Sequence, residues 1–575
     1  MPTIFSFGWW RSLLTIVVAS SSAAWSADLA ANPNRCTFGI EASFAPWDAG
    51  SLPAFLHASK KMGAEFVVFK CIPKGDSLAA VSVTTRCELE VQALDAACKQ
   101  AGIGFVLNQE ITNYSKEGTF VDAKGRDLLA HADGTHRLDL TGACLQGLKR
   151  LPAFCGVLYD EMEHGQLRRH MNTNGGSDDA NTWRVHPVFA ATDGMTVEQA
   201  YEAIVHGAQG VAQQYRGAGV IPMSEHVFPV LLHALARAGF DPGVKFMKEG
   251  IDPVFAAIGI GAARQYGRAF CAEPDLWGLS GFLPHPPAQQ TTVFPGHPPQ
   301  EFRASLLYAY WLGSSRIFVE DAGGLLSLRE ENGQASYEPT EHGKVFAWFA
   351  TDYVPRHPRP HTFRDMRPEV AIVRLDDSCW GQRGTWLPDA LLGAANLPTT
   401  PASAAWFGIW EVLTHGHTRA EGISFHQPAY RGQAHDFFCP LRGVVVYDHL
   451  VEGPMLAGLK LIWLTGVAIS PRTRDAVQTW VRGGGLCVTP ATLAPATLTN
   501  RSGLVVDGTG RWLVTDDVHS EVVRQAVAPF LGRPDEIRYR FGTRTLIVQR
   551  GVDGNDIRIF LQSDDGPTQE AARVW

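Results

Sequence analysis

Short apolar runs alternate with amphipathic segments along the first two thirds of the chain. Many of the amphipathic segments end in glycine, a residue that favours the C-terminus of a helix. In segments 52–63, 87–102, 197–219 and 252–267, apolar residues recur at steps of three and four, which predicts helices with one buried face. Eight apolar runs have the length expected of buried strands: 36–43, 64–71, 103–110, 155–164, 219–226, 244–250, 268–277 and 315–323.

Strands that alternate with helices predict parallel pairing through right-handed crossovers, and eight such strands can close a barrel. An open doubly wound sheet is the alternative, but it normally carries a glycine-rich phosphate loop after its first strand, and 36–43 is followed by none. The helix-to-strand connections are short, whereas those that follow strands near 110, 164 and 278 are long. The pattern therefore predicts a (β/α)8 TIM barrel over 36–360, with its active site on the face formed by the long loops.

The pattern changes after residue 360. Segments 368–377, 443–450 and 456–470 are typical of strands, and 472–490 is typical of a helix, a glycine turn and a strand. These segments predict a second, smaller α/β domain over 361–500 that is flavodoxin-like or glutaminase-like. Alternating apolar and polar residues at 510–517, 543–551 and 556–565 predict a small C-terminal β region over 501–575.

The N-terminus has the layout of a secretory signal peptide over residues 1–27. Arg11 precedes an apolar run at 13–19, and small residues follow up to a cleavage position near Ser26 or Ala27. The alternative is a membrane anchor, but the run is too short to span a bilayer comfortably. We therefore expect a secreted or periplasmic protein that has no membrane association once the signal is removed.

Composition and motifs exclude several functional classes. The formal net charge of −8 and the lack of Lys/Arg clusters argue against a nucleic-acid partner. Neither a CxxC pair nor a zinc-type His/Cys spacing occurs among the 10 cysteines, so we expect no metal. The sequence has no G-x-S-x-G elbow and no phosphate-binding P-loop, and we expect no cofactor.

Acidic residues lie at the ends of nearly all the predicted barrel strands. The ends of parallel strands meet on one face, so these carboxyl groups are expected to line one cleft and to push each other's pKa values apart. Such a pair is what glycosidic cleavage requires, because one carboxyl group protonates the leaving oxygen and the other attacks carbon or activates water. The strand-end acids are Glu41, Glu110, Asp160, Glu161, Glu163, Glu225, Glu249, Glu273, Asp275, Glu320 and Asp321.

Period-two alternation suggests which acids share a face of their strand. It groups Glu161 with Val157 and Tyr159, and Glu273 with Ala269 and Cys271. The small residues next to Glu273 suit a side chain that points into a crowded interior.

Glutamates at the ends of strands 4 and 7 resemble the arrangement in clan A glycoside hydrolases. The order of barrel and α/β domain, with the element at 475–490, resembles family 42 β-galactosidases, whose second domain mediates trimer formation. The resemblance implies Glu161 as general acid/base and Glu273 as nucleophile of a retaining mechanism, and a possible homotrimer. One position departs from the pattern, because Asp160 replaces the usual Asn. This Asp can bind the substrate 2-hydroxyl, or be the acid or the nucleophile itself.

The remaining candidates are assigned to substrate binding. They are Glu41, Glu110, Glu225, Glu249 and Glu320, with Trp47 and Trp277 in positions to stack on sugar rings. Glu249 and Glu320 are also alternative catalytic carboxylates. If they are not catalytic, they are expected to bind substrate hydroxyl groups or to balance the charges of Lys248 and Arg316.

The sequence therefore predicts a secreted glycoside hydrolase that acts on an oligo- or polysaccharide. Two alternatives remain open: an inverting enzyme with another carboxylate pair, and a non-catalytic carbohydrate-binding protein on the same barrel.

Overall fold

The computed structural model describes residues 35–42, 51–73, 81–84, 88–108, 129–130, 136–137, 140–160, 195–226, 231–247, 252–276, 298–320, 322–375, 401–418, 438–551 and 556–574. Within them, no helix is long and apolar enough to cross a membrane.

Eight parallel strands form a closed barrel, as predicted. Each strand pairs with its sequence neighbour, and β1 pairs with both β2 and β8, which closes the ring. The strands are β1 (Thr37–Glu41), β2 (Phe66–Pro73), β3 (Gly104–Asn108), β4 (Phe154–Asp160), β5 (Pro222–His226), β6 (Asp241–Phe246), β7 (Cys271–Pro274) and β8 (Arg316–Val319).

Helices follow the strands and cover the outside of the barrel. Thr196 starts the longest helix with a capping box. The Thr196 side chain accepts a hydrogen bond from the backbone N–H of Gln199, and the Gln199 side chain accepts one from the backbone N–H of Thr196. Gly102 and Gly219 follow helix ends with positive φ, as the sequence predicted. The helices are α1 (Ser51–Lys61), α2 (Val91–Ala101), α3 (Gly142–Leu148), α4 (Val197–Gly217), α5 (Leu232–Ala238), α6 (Asp252–Gln265), α7 (Pro299–Trp311) and α8 (Glu341–Trp348).

A hairpin separates β8 from α8. Its strands are β9 (Leu326–Glu331) and β10 (Gln334–Pro339), which pair in antiparallel fashion. The next strand after α8 starts at Val370, so the predicted boundary at 360 falls in the segment that connects the barrel to the accessory domain.

The accessory domain is built around a six-stranded sheet. Numbered within the domain, the strand order is 2-1-3-4-6-5, which is the flavodoxin-like order with an antiparallel strand added at the edge. Its helices are α9 (Pro401–Leu413), α10 (Pro471–Arg482) and α11 (Glu521–Val527). Its strands are β11 (Val370–Leu375), β13 (Val444–Asp448), β14 (Leu461–Gly466), β15 (Leu486–Thr489), β16 (Gly503–Asp507) and β17 (Gly510–Val514).

This sheet continues past residue 500, where the sequence predicted the α/β domain to end. The hairpin of β16 and β17 belongs to it, because β17 pairs in parallel with β15. The separate C-terminal sheet joins the short strand β12 (Leu441–Arg442) to four strands that begin at Glu536. These are β18 (Glu536–Phe541), β19 (Arg544–Arg550), β20 (Ile557–Ser563) and β21 (Gln569–Arg573).

The accessory domain packs tightly against the helical layer of the barrel. Asp448, at the end of β13, accepts hydrogen bonds from the Tyr201 hydroxyl at 2.6 Å and the Gln265 side chain at 2.5 Å. Beside it, α6 meets the backbone of β13 so closely that a Cβ atom built on Gly261 would lie 1.7 Å from the Val446 carbonyl oxygen. A glycine is therefore needed at position 261 for the two domains to make this contact.

Gly261→Ala is expected to lower the free energy of unfolding by about 1–3 kcal/mol, because the added methyl group pushes apart two backbone segments. The matched control is Gly210→Ala on α4, where an added Cβ meets nothing within 4 Å. That change replaces a helical glycine without a clash and is expected to stabilise by up to about 1 kcal/mol. Calorimetric melting of both variants measures the difference. If Gly261→Ala melted at or above the temperature of Gly210→Ala, the tight contact would be refuted.

Candidate functional site at the carboxyl end of the barrel

The interior of the barrel changes from apolar to acidic along its axis. Alternate strand residues point inward and form an enclosed apolar cluster below the carboxyl end. Gly39 makes room in it, because a Cβ there would lie 2.3 Å from the Phe66 ring. The cluster consists of Phe66, Val68, Val106, Leu158, Met223, Cys271 and Phe318.

Six carboxyl groups lie above this apolar layer, and we call them the acid cluster. Strand register brings them together: Asp160 is level with Glu225, and Asp275 forms a bridge with Glu320. They are buried, with exposures between 0 and 4%. The members of the acid cluster are Glu41, Asp160, Glu225, Glu273, Asp275 and Glu320.

Lys245 of β6 lies among these acids and is 2% exposed. Its Nζ atom is 2.6 Å from Glu225 Oε1 and 2.6 Å from Glu320 Oε2. The same atom is 3.5 Å from Asp275 Oδ2 and 3.9 Å from Asp160 Oδ1. One ammonium group therefore connects acids from the ends of four other strands and offsets part of the cost of burying them.

Asn108, at the end of β3, connects two further members of the cluster. Its Nδ2 atom donates to Glu41 Oε1 at 2.6 Å and to Asp160 Oδ2 at 3.0 Å. An amide that donates to both oxygens favours the ionised form of each acid, because the hydrogen bonds strengthen with negative charge. Asn108 thus holds the β1 and β4 carboxylates in fixed positions.

The protonation of Glu225 and Glu273 is strongly perturbed. Burial raises the pKa of Glu225 well above its usual range; the charges of Asp160 and Glu273 raise it further, while Lys245 lowers it. Burial likewise raises the pKa of Glu273, against the lowering effect of Lys245. Because the pKa of each group is raised, these carboxyls retain protons at pH values where an exposed glutamate is ionised.

Oxygen atoms of Glu41, Glu225 and Glu273 lie within 4.8 Å of one another. Such a group of carboxylates has the donor atoms that a hard cation prefers. However, the Lys245 ammonium already lies 2.6 Å from Glu225. We therefore interpret the group as carboxyls that share a proton beside a lysine.

The structure brings together five acids that the sequence singled out for this site: Glu41, Asp160, Glu225, Glu273 and Glu320. Five other predicted site residues lie outside the described residues: Glu110, Glu161, Glu249, Trp47 and Trp277. Their assignments stay predictions.

Val157 and Tyr159, with which the sequence grouped Glu161, do not belong to the interior cluster of the barrel. Tyr159 packs against Tyr215 of α4, on the helix side, whereas Leu158 belongs to the interior cluster. Asp160 follows the same alternation as Leu158 and is the inward-facing acid among the described residues of β4. Glu161 lies outside the described residues, and its role stays a prediction.

Three residues of the site were missed or misassigned. Lys245 and Asn108 were not singled out, although a charged or amide side chain in an otherwise apolar buried strand is a usable signal. The expected charge balance between Glu320 and Arg316 is wrong. Arg316 forms an ion pair with Asp241 at 3.4 Å, at the opposite end of the barrel, whereas Glu320 forms one with Lys245.

The chain aligns with several solved structures. A β-galactosidase from Bacillus circulans sp. alkalophilus aligns over 92% of this chain and 93% of its own, with a TM-score of 0.51 and 10% identity. A β-galactosidase from Marinomonas ef1 aligns over 89% of this chain and 95% of its own, with a TM-score of 0.49 and 11% identity. An exo-β-1,4-mannosidase from Opitutaceae bacterium strain TAV5 aligns over 93% of this chain and 88% of its own, with a TM-score of 0.41 and 10% identity. No protein-family model and no curated protein sequence matches the chain.

The first of these alignments extends over both domains and establishes a shared fold. It confirms the predicted layout of a TIM barrel followed by an α/β domain. Function has to be argued from the site, because one fold can carry many activities.

Proposed function

We propose that this protein is a glycoside hydrolase that uses two carboxyl groups at the carboxyl end of the barrel. Glu273 is one of them, and the acid pair Asp160–Glu161 at the end of β4 supplies the other. The observation that carries the proposal is the acid cluster itself: six buried carboxyl groups meet at the end of the barrel, four of them within 3.9 Å of Lys245, and burial raises the pKa of Glu225 and Glu273. Unequal protonation of neighbouring carboxyls is what acid-assisted glycoside cleavage needs.

The mechanism divides the two roles between β4 and β7. In the arrangement implied by the resemblance, Glu161 protonates the leaving oxygen and ionised Glu273 attacks the anomeric carbon. The covalent intermediate is then hydrolysed by a water that Glu161 deprotonates. Asp160, held by Asn108 at 3.0 Å, is placed to accept a hydrogen bond from a substrate hydroxyl or to replace Glu161 as the acid.

The resemblance to clan A glycoside hydrolases favours a retaining reaction. Retaining enzymes hold their two catalytic carboxyl groups about 5 Å apart, whereas inverting enzymes leave roughly 6.5–9.5 Å for a water. A non-catalytic barrel is the weaker alternative, because Glu273 faces other acids rather than apolar packing.

The proposal extends to location, substrate size and assembly. The signal-like N-terminus supports export to the periplasm or beyond, and an exported glycosidase is suited to oligo- or polysaccharides. By analogy with family 42 β-galactosidases, the accessory domain supports assembly into a homo-oligomer, which in that family is a trimer. N-terminal sequencing of the mature protein and light scattering test these two extensions directly.

A panel of aryl glycosides, beginning with β-galactosides and β-mannosides, tests the activity. Products followed by proton NMR in the first minutes show whether the anomeric configuration is retained or inverted. Inversion would reject the retaining mechanism, and tight binding of oligosaccharides without any cleavage would favour the non-catalytic alternative.

Variants of β4 decide which of its two acids is catalytic. If Glu161 is the general acid, Glu161→Gln lowers turnover by about 10²–10⁴-fold on substrates with poor leaving groups. It has little effect on activated aryl glycosides, whose leaving groups need no proton. Asp160→Asn then mainly raises KM, because it weakens one substrate contact. The reverse pattern, with leaving-group dependence in Asp160→Asn, would assign the acid role to Asp160.

A further inference from the structure

Lys245 lies at the centre of the acid cluster, yet the two-carboxylate mechanism gives it no task. It projects from β6, between the strands that carry Glu225 and Glu273, and Glu273 is its register partner on β7. Its side chain is buried with the acids. A lysine in this position is costly to bury without ionised partners, so its charge and theirs depend on each other.

We propose that Lys245 is a positioning residue whose ammonium keeps Glu273 and the carboxyl groups beside it partly ionised, and so sets the lower pH limit of activity. The proposal rests on the proposed function but concerns a different step. Two-carboxylate cleavage requires one acid ionised and one protonated within the same pH range. With six carboxyls in one buried cluster, protonation of all of them is the competing state.

The geometry explains how one lysine exerts this control. It touches Glu225 and Glu320 at 2.6 Å, and its charge lowers the pKa of both Glu225 and Glu273, against burial that raises it. Without the ammonium, these carboxyls would stay protonated to a higher pH. The nucleophile would then be neutral at pH values where the native site is active.

The polar and charged groups around Lys245 come from most strands of the barrel. Lys70 of β2 is the register partner of Asn108, and its side chain lies outside the described residues. The other groups of this site are Glu41 of β1, Asn108 of β3, Asp160 of β4, Glu225 of β5, Glu273 and Asp275 of β7, and Glu320 after β8.

Lys245 is not placed to act as a nucleophilic amine. Such an amine must lose its proton, and four carboxylate oxygens within 3.9 Å favour the charged ammonium. The two roles differ in a testable way, since arginine preserves a positive charge but does not form a Schiff base.

The test compares Lys245→Met, Lys245→Arg and Glu320→Gln with the native protein. Infrared absorption of protonated carboxyl groups, followed between pH 4 and pH 9 in the folded protein, reports the cluster without requiring turnover. Lys245→Met is expected to move the carboxyl titration, and the acidic limb of kcat/KM, upward by about 1–3 pH units. Lys245→Arg should move both by less, and Glu320→Gln should move both downward because it removes a negative charge.

Lys460→Met is the matched control, since Lys460 is an ion-paired lysine of the accessory domain. It should leave both readouts unchanged. If Lys245→Met does not fold, Glu320→Gln still tests the idea with the lysine intact. Carboxyl titrations of folded Lys245→Met and Glu320→Gln that coincide with the native curve would overturn the proposal. If no glycoside is cleaved, the infrared result still stands, so failure of this inference is distinguishable from failure of the proposed function.

Discussion

Glu273→Gln is expected to lower glycoside turnover by at least about 10³-fold while the barrel stays folded. The substitution keeps the shape of the side chain but removes the negative charge needed for attack and the acidity needed for proton transfer. Glu273 is fully buried among other acids, so a neutral side chain of the same shape fits in its place. Steady-state rates on the best substrate of the panel, with circular dichroism to verify folding, measure the effect.

Glu369→Gln provides the control for that measurement. Glu369 is an accessory-domain carboxylate paired with Arg442 and Lys460, outside the barrel. Its substitution should leave turnover within about twofold, as expected of a change away from the site. A Glu273→Gln variant with more than a tenth of native activity would remove Glu273 from the catalytic pair.

Azide rescue of Glu273→Gly separates the two possible roles of this residue. If Glu273 is the nucleophile, azide enters the vacated space and yields a glycosyl azide of inverted configuration. If it is the acid/base, azide attacks the covalent intermediate and the product retains configuration. The assignment of nucleophile and acid between β7 and β4 can therefore be read from one NMR spectrum.

The barrel could be predicted from the sequence because its strands are continuous apolar runs separated by helices of clear periodicity. The least accurate strand was β6, predicted at 244–250 and observed at Asp241–Phe246. Its first residues are Asp-Pro-Gly, which are typical of a turn. Gly243 is nonetheless needed within the strand, because a Cβ there would lie 2.3 Å from the Ser224 carbonyl oxygen.

The acids of the site were predictable as a group, since strand ends of a barrel meet on one face. Their orientation was not, because alternation tells which residues of a strand share a face but not which face points into the barrel. The inward face of β4 is revealed by the packing of Leu158 in the interior cluster and by the contact of Asp160 with Asn108. Lys245 was missed for a related reason: its role is defined by four partners at the ends of four other strands.

The end of the accessory domain depends on long-range pairing in the same way. The alternating segment at 510–517 is typical of a β region, but its strand pairs in parallel with β15 and so completes the α/β sheet. Local pattern indicates that a strand exists and not which sheet it joins.

The double substitution Glu225→Gln/Glu273→Gln is expected to stabilise the protein at neutral and alkaline pH by about 2–6 kcal/mol, because the effective penalty for burying an ion is several kcal/mol and a neutral amide avoids it. Burial raises the pKa of both groups in the folded state. The folded protein therefore binds more protons than the unfolded chain between the ordinary glutamate pKa and the raised one. Native stability must fall as pH rises through that window.

The variant lacks both titrations, so its advantage should be small below about pH 4.5 and should grow as the pH rises. Lys245 keeps ion-pair partners in the variant, because Glu320 remains at 2.6 Å and Asp275 at 3.5 Å. Melting temperatures of both proteins between pH 4 and pH 9 give the comparison. A constant difference across this range would mean that the two carboxyls are not the groups that hold the proton. If the stability advantage of the double variant grows with pH while its activity is lost, the ionised carboxyl groups of the native site lower the stability of the folded protein.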